Sequence, residues 1–136
     1  MYSRIVVGTD GTDRSLIAVD HAARLAAAFA AELHVVAAAS PIGARATTLS
    51  DSSARTAAKI GHDAGKRHGV RVIEHPRVGE PASVLMSVAE AIDADLIVVG
   101  SSRVTGHRRA LAGSTGSVPS RLVHHCDRPL LIVHTG

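Results

Sequence analysis

Short apolar runs alternating with helical stretches constrain this chain more than any other feature. Arg4 to Gly8 (RIVVG), Glu32 to Ala37 (ELHVVA), Val70 to His75 (VRVIEH), Asp95 to Gly100 (DLIVVG) and Pro129 to His134 (PLLIVH) each read as a strand. β-branched residues dominate three of them, and their unbroken apolarity predicts burial on both faces, as in a parallel sheet. Asp13 to Ala31 reads as a helix capped by Thr12 or Asp13, with Ile17, Ala18, Leu25 and Phe29 at helical spacing. Residues 51–68 form a more polar, alanine-rich helix that Gly69 is placed to stop. Pro81 to Asp93 sets Val84, Leu85, Val88, Ala89 and Ile92 on one stripe, and Ser117 to His125 leads into the last strand. Ser40 to Ser50 has poor periodicity and reads as a loop. The order βαβαβαβαβ predicts an open three-layer α/β/α fold on a five-stranded parallel sheet with right-handed crossovers. Such sheets bind ligands beyond the carboxyl ends of their strands, where the winding direction switches. Attention therefore falls on Thr9-Asp10-Gly11 and Ser101-Ser102-Arg103.

Length and composition narrow the field. A chain of 136 residues fits one domain, residues 1–136, and 46% hydrophobic residues suffice for its core. Tyr2 and Phe29 are the only aromatics apart from histidine, which argues against modules that stack bases on aromatic platforms. Cys126 is the single cysteine and cannot form an internal disulfide. The first residues, MYSRIVVG, lack the long apolar run of a signal peptide, and no stretch approaches the ~20 apolar residues of a membrane span. A cytoplasmic location is expected, with no membrane partner. The net charge is +3, and residues 101–136 hold five arginines against one acid. A local basic site of that kind suits a small anion better than a long polyanion.

Two segments have the residues for binding chemistry. Gly100 to Ser117 (GSSRVTGHRRALAGSTGS) joins a strand to a helix start. Its glycines allow close backbone approach to an anion, and the helix start offers free N–H groups. Hydroxyls at Ser101, Ser102, Thr105, Ser114, Thr115 and Ser117, with Arg103, Arg108 and Arg109, would complete a phosphate site. The same composition equally describes a solvated surface loop. The second segment, Gly8-Thr9-Asp10-Gly11-Thr12-Asp13, places Asp10 where it could accept from a ribose hydroxyl or an adenine amino group. Turn and capping chemistry is the alternative, and Asp13 suits a cap better than Asp10. Nine histidines invite a metal, but no H-x3-H or C-x2-C spacing occurs and His124 and His125 face apart. His34, inside an apolar strand, reads as a partnered core histidine, and Cys126 as an inert thiol. The Walker, G-x-G-x-x-G and G-x-S-x-G motifs are absent.

The segments VVGTDGT, LHVV, VGEPASVL, ADLIVVGS and GSVPSRLVHHCDRPLLIV resemble the universal stress protein family in order and spacing along essentially the whole chain. The resemblance implies strand order 3-2-1-4-5, the adenine nucleotide alpha hydrolase-like arrangement, and binding of ATP or another adenine nucleotide such as AMP or cyclic AMP, with Mg accompanying ATP. The nucleotide-binding signature is G-x2-G-x9-G-[ST]. Carried over by position, it implies Thr9, Asp10 and Val35 on the adenosine side, then Val99, Gly100 and Ser102, with Gly116, Ser117 and Val118 at the phosphates. This chain departs from the signature twice. Arg103 stands at the second glycine, where it either pairs with phosphate or blocks the pocket. The final Gly-Ser is duplicated, as Gly113-Ser114 and Gly116-Ser117. The second pair opens the helix and is preferred, which implies a three-residue insertion. The resemblance also implies a homodimer through residues 129–134, a stress-response role, and slow hydrolysis or autophosphorylation in some members. No residue stands out as the base for a hydrolytic water. A nucleotide-free interaction module is the alternative, and a weak nucleic-acid binder using Arg103, Arg108, Arg109 and Arg121 is a more distant one.

Overall fold

A computed structural model describes residues 2–39, 46–101 and 118–135, with the backbone alone for 46–51. Strands β1 (Arg4–Gly8), β2 (Glu32–Ala39), β3 (Val72–Val78), β4 (Leu96–Gly100) and β5 (Leu130–Val133) form one sheet, in the order β3-β2-β1-β4-β5. All four pairings are parallel. The helices of the described residues are α1 (Asp13–Phe29), α2 (Ala46–Lys66), α3 (Pro81–Ile92) and α4 (Val118–His125).

Period-two alternation along the central strands divides the core between two faces. Ile5, Val7, Leu33, Val35 and Val98 pack toward Ala18, Ala22 and Ala26 of α1 and Ala64 of α2. Val6, Val36, Ile97 and Val99 pack toward Leu85, Val88 and Ala89 of α3 and Leu122 of α4. Burial on both faces is why β1 and β4 are apolar without a break. The expected α/β layering and strand order are those observed.

Three local expectations need correction. In α1 the buried stripe is Ala18, Val19, Ala22, Ala23 and Ala26, whereas Ile17 and Phe29 are 47% and 38% exposed. Small side chains face the sheet, and Phe29 instead meets Tyr2 edge-on at 5.1 Å. Helix α2 starts at Ala46, inside the stretch read as a loop, because its first turns carry no apolar period to betray them. Strand β3 begins two residues later than expected and runs through Pro76 to Val78. An edge strand tolerates that proline because only one side must donate hydrogen bonds.

Helix α2 lies unusually close to β2, and two glycines allow it. A Cβ on Gly61 would stand 2.7 Å from Val35 Cγ1, and one on Gly65 would stand 3.0 Å from Leu33 Cδ2. Spaced four apart, they present one smooth face of the helix to the sheet. Helices α1 and α2 serve one face and α3 and α4 the other, so the winding reverses between the neighbouring strands β1 and β4. The carboxyl ends of these two strands are thus the switch point at which sheets of this kind form a ligand-binding crevice.

Candidate functional site

The loop after β1 is built as a closed set of short hydrogen bonds. Thr9 is buried; its N–H donates to the Val36 carbonyl at 2.9 Å, and its hydroxyl pairs with Ser15 Oγ at 2.7 Å. Gly11 N–H donates to Thr9 Oγ1 at 3.0 Å. Gly11 adopts φ +83°, and a Cβ there would lie 3.2 Å from the Ala57 backbone of α2. Only glycine meets both demands. Thr12, not Asp13, caps α1 by accepting from Ser15 N–H at 3.2 Å.

Asp10 is exposed in this loop, as is Thr12. Its Oδ1 accepts from Thr12 N at 3.0 Å and from the Thr12 hydroxyl at 2.6 Å. Both Thr12 bonds fall on Oδ1, which leaves acceptor capacity on the carboxylate. Burial pushes the carboxyl up, but hydrogen bonds from the Thr12 hydroxyl, the Thr12 N–H and Ser15 outweigh it and hold the group below its ordinary range. Asp10 is therefore ionised at neutral pH. A shallow, open depression of about 480 Å³ lies beside it, between Asp10 and Thr12 on the loop and Ser53, Thr56, Ala57 and Ile60 on α2, and its lining combines hydroxyls with an apolar patch.

The other candidate residues fall into four groups. Val35 and Val99 are 0% and 4% exposed, so their side chains belong to the core beneath the crevice. Gly100 ends β4 at the crevice, and the next residue ties the strand ends together: Ser101 N–H donates to the Val133 carbonyl at 2.7 Å, and Ser101 Oγ accepts from Thr135 N at 3.0 Å. Val118 opens α4 and packs against the core cluster of α3. Ser102, Arg103, Gly116 and Ser117 lie outside the described residues, as do Gly113 and Ser114. Ser15, Gly61 and the α2 lining escaped sequence reasoning. The pair Gly61 and Gly65, four apart in an alanine-rich helix, was the available signal, because mid-helix glycine costs about 1 kcal/mol and needs a packing reason.

Away from the crevice, His34 is 6% exposed and hydrogen-bonded to Glu32 and His75, a core histidine with partners as expected. Cys126 Sγ is engaged by the Arg128 carbonyl at 3.3 Å and the Arg128 N–H at 3.4 Å. Among the described residues no group of three or more His, Cys, Asp or Glu converges to hold a metal, and no helix is long and apolar enough to cross a membrane.

Comparison with known proteins matches residues 1–134 to the universal stress protein family. A universal stress protein of Mycobacterium tuberculosis is 39% identical, across 98% of this chain and 97% of that protein. One from Methanocaldococcus jannaschii is 33% identical, across 98% and 82%. A solved universal stress protein in complex with cAMP is 34% identical and superposes with a TM-score of 0.81, covering 99% of this chain and 98% of that one.

Proposed function

From the premise that this chain belongs to the universal stress protein family, we propose that it binds an adenine nucleotide across the carboxyl ends of β1 and β4, as a cytoplasmic regulatory module. Asp10 carries the reading. An exposed, ionised carboxylate with one oxygen held by Thr12 is a ready acceptor for a ribose hydroxyl. The solved relative with cAMP, alike over its whole length, supports the same ligand class. Thr9 holds the loop in shape, while Val35 and Val99 form the floor beneath the ligand. The connection from Gly100 through Ser102, Arg103, Gly116 and Ser117 to Val118 takes the phosphate end. Arg103 pairs with phosphate there, and Mg accompanies the ligand when it is ATP. Two chains join through β5.

Isothermal titration of wild type, Arg103→Ala and Arg103→Gly with ATP, AMP and cAMP tests the reading. A charge-assisted contact is worth ~1.5–3 kcal/mol, so Arg103→Ala costs roughly ten- to a hundredfold in phosphate-dependent affinity. Stronger binding by Arg103→Gly makes Arg103 an obstruction instead. No heat from any of the three folded proteins with any of these nucleotides overturns the proposal and leaves an interaction module.

A further inference from the structure

The face of β2 and β3 that looks toward the α3 side carries a directional chain of polar groups. Arg77 Nη2 meets His75 Nδ1 at 3.5 Å, His75 Nε2 meets His34 Nδ1 at 2.9 Å, and His34 Nε2 meets Glu32 Oε1 at 3.2 Å. The two imidazole centroids are 5.1 Å apart at 27° between planes. The 2.9 Å bond and two ring radii account for nearly all of that separation. The rings therefore meet head to head, and the contact is a hydrogen bond and not a stack.

The ends of the chain fix its direction. Ionised Glu32 only accepts and Arg77 only donates. His34 must then carry its proton on Nε2, facing Glu32, which leaves Nδ1 as the acceptor for His75 Nε2–H. His75 Nδ1 keeps a lone pair toward Arg77. Every polar position is filled while both rings are neutral. We propose that this Arg77–His75–His34–Glu32 chain is an acid-sensitive latch holding the edge strand β3 to β2.

Acid has two places to act, and both break the arrangement. A proton on His75 Nδ1 faces the Arg77 guanidinium, whose Nη1 is anchored to the Pro76 carbonyl at 2.9 Å. A proton on His34 Nδ1 removes the acceptor that joins the rings. The remaining charges around the pair are Arg4 from β1 and Arg71, which lies 3.4 Å from Glu32. Both cations oppose a further positive charge, and among the described residues Glu32 is the anion in favour. Helix α3 buries Ala82, Leu85, Val88 and Ala89 and packs Val84, Met86 and Ile92 beside them, none of them charged. Glu74 and His62 pair at 3.8 Å on the other face of the sheet. Burial first, then His34 and Arg77, push His75 down to about 4, and burial lowers His34 as well. The latch is thus intact above the ordinary histidine value near 6.5 and is lost as pH falls toward about 4.

Amide hydrogen exchange on the whole protein, corrected for intrinsic rates, tests this without reference to any nucleotide. Between pH 7 and pH 5 the protection of β3 amides falls roughly tenfold or more in wild type, while β1 amides keep theirs. His75→Gln retains a donor toward His34 and an acceptor toward Arg77 but removes one of the two titrating rings, so its β3 protection falls clearly less than in wild type. An equal fall in the variant, or none in wild type, overturns the latch. Imidazole ¹⁵N spectra of wild type give a second readout that does not depend on the variant folding. Both rings protonated on Nε2, with His75 titrating below pH 5, support the latch. A proton on His75 Nδ1 at neutral pH, or titration near 6.5, overturns it.

Discussion

Asp10 shows how a residue can be recognised before its mechanism is. The position after β1 singles it out in the sequence, the turn reading applies to one carboxylate oxygen, and the ligand reading proposed above needs only the other. Oδ1 accepts both bonds from Thr12. Asp10→Asn separates the two roles, because the amide oxygen still accepts from Thr12 while a donor replaces the other acceptor. Folding is expected to be unchanged and nucleotide affinity to fall about ten- to a hundredfold, read by titration calorimetry. Unchanged affinity reduces Asp10 to a turn residue. Val35 teaches the opposite lesson. Its match to the family pattern is plain, but only the packing of Gly61 against Val35 Cγ1 reveals that its side chain lies in the core.

At the scale of elements, strands β1 and β4 were readable because burial on both faces demands continuous apolar residues, and α3 because Pro81 and a clear stripe mark it. Helix α2 was readable only in part. Its close approach to β2 depends on two missing side chains, and an absent Cβ contributes nothing to a hydrophobic pattern. Gly61→Ala tests that approach. Helix propensity favours alanine by about 1 kcal/mol, but overpacking costs ~1–3 kcal/mol. With Val35 buried and unable to swing away, the expected net effect is a loss of stability of about 1 kcal/mol in urea denaturation. A stabilised variant means that α2 can retreat from the sheet. The α3 cap offers a second test. Glu80 accepts from Ala82 N at 2.9 Å and Ser83 N at 3.1 Å, and Arg121 of α4 lies 3.3 Å away. Burial raises the Glu80 carboxyl, but these bonds and Arg121 outweigh it and hold it below its ordinary value. Its contribution is therefore complete above the ordinary glutamate range and is lost as pH falls through the folded value. Glu80→Ala is expected to cost ~1 kcal/mol at pH 7 and progressively less below pH 4. A cost that does not change with pH assigns the effect to packing.

The whole molecule has two sheet edges, and they are not alike. Strand β3 carries Pro76 and exposed Arg77, features that discourage another strand from pairing. Strand β5 carries none of these: Leu130, Leu131 and Val133 are partly or fully buried, and Ile132 is 40% exposed. An apolar edge without a gatekeeping charge is prone to association, and a strand that meets its own copy about a two-fold axis satisfies both edges at once. The expected state is a dimer through β5. Sedimentation at ~50 μM, far above a micromolar dissociation constant, should give twice the chain mass of 14.0 kDa. Ile132→Lys puts a charge on that edge at a position already in contact with solvent, so the fold should survive and the dimer should not. A wild type that sediments as a monomer at this concentration removes the dimer. A variant that remains dimeric moves the interface off β5, with the exposed Val123 face of α4 as the next surface to substitute.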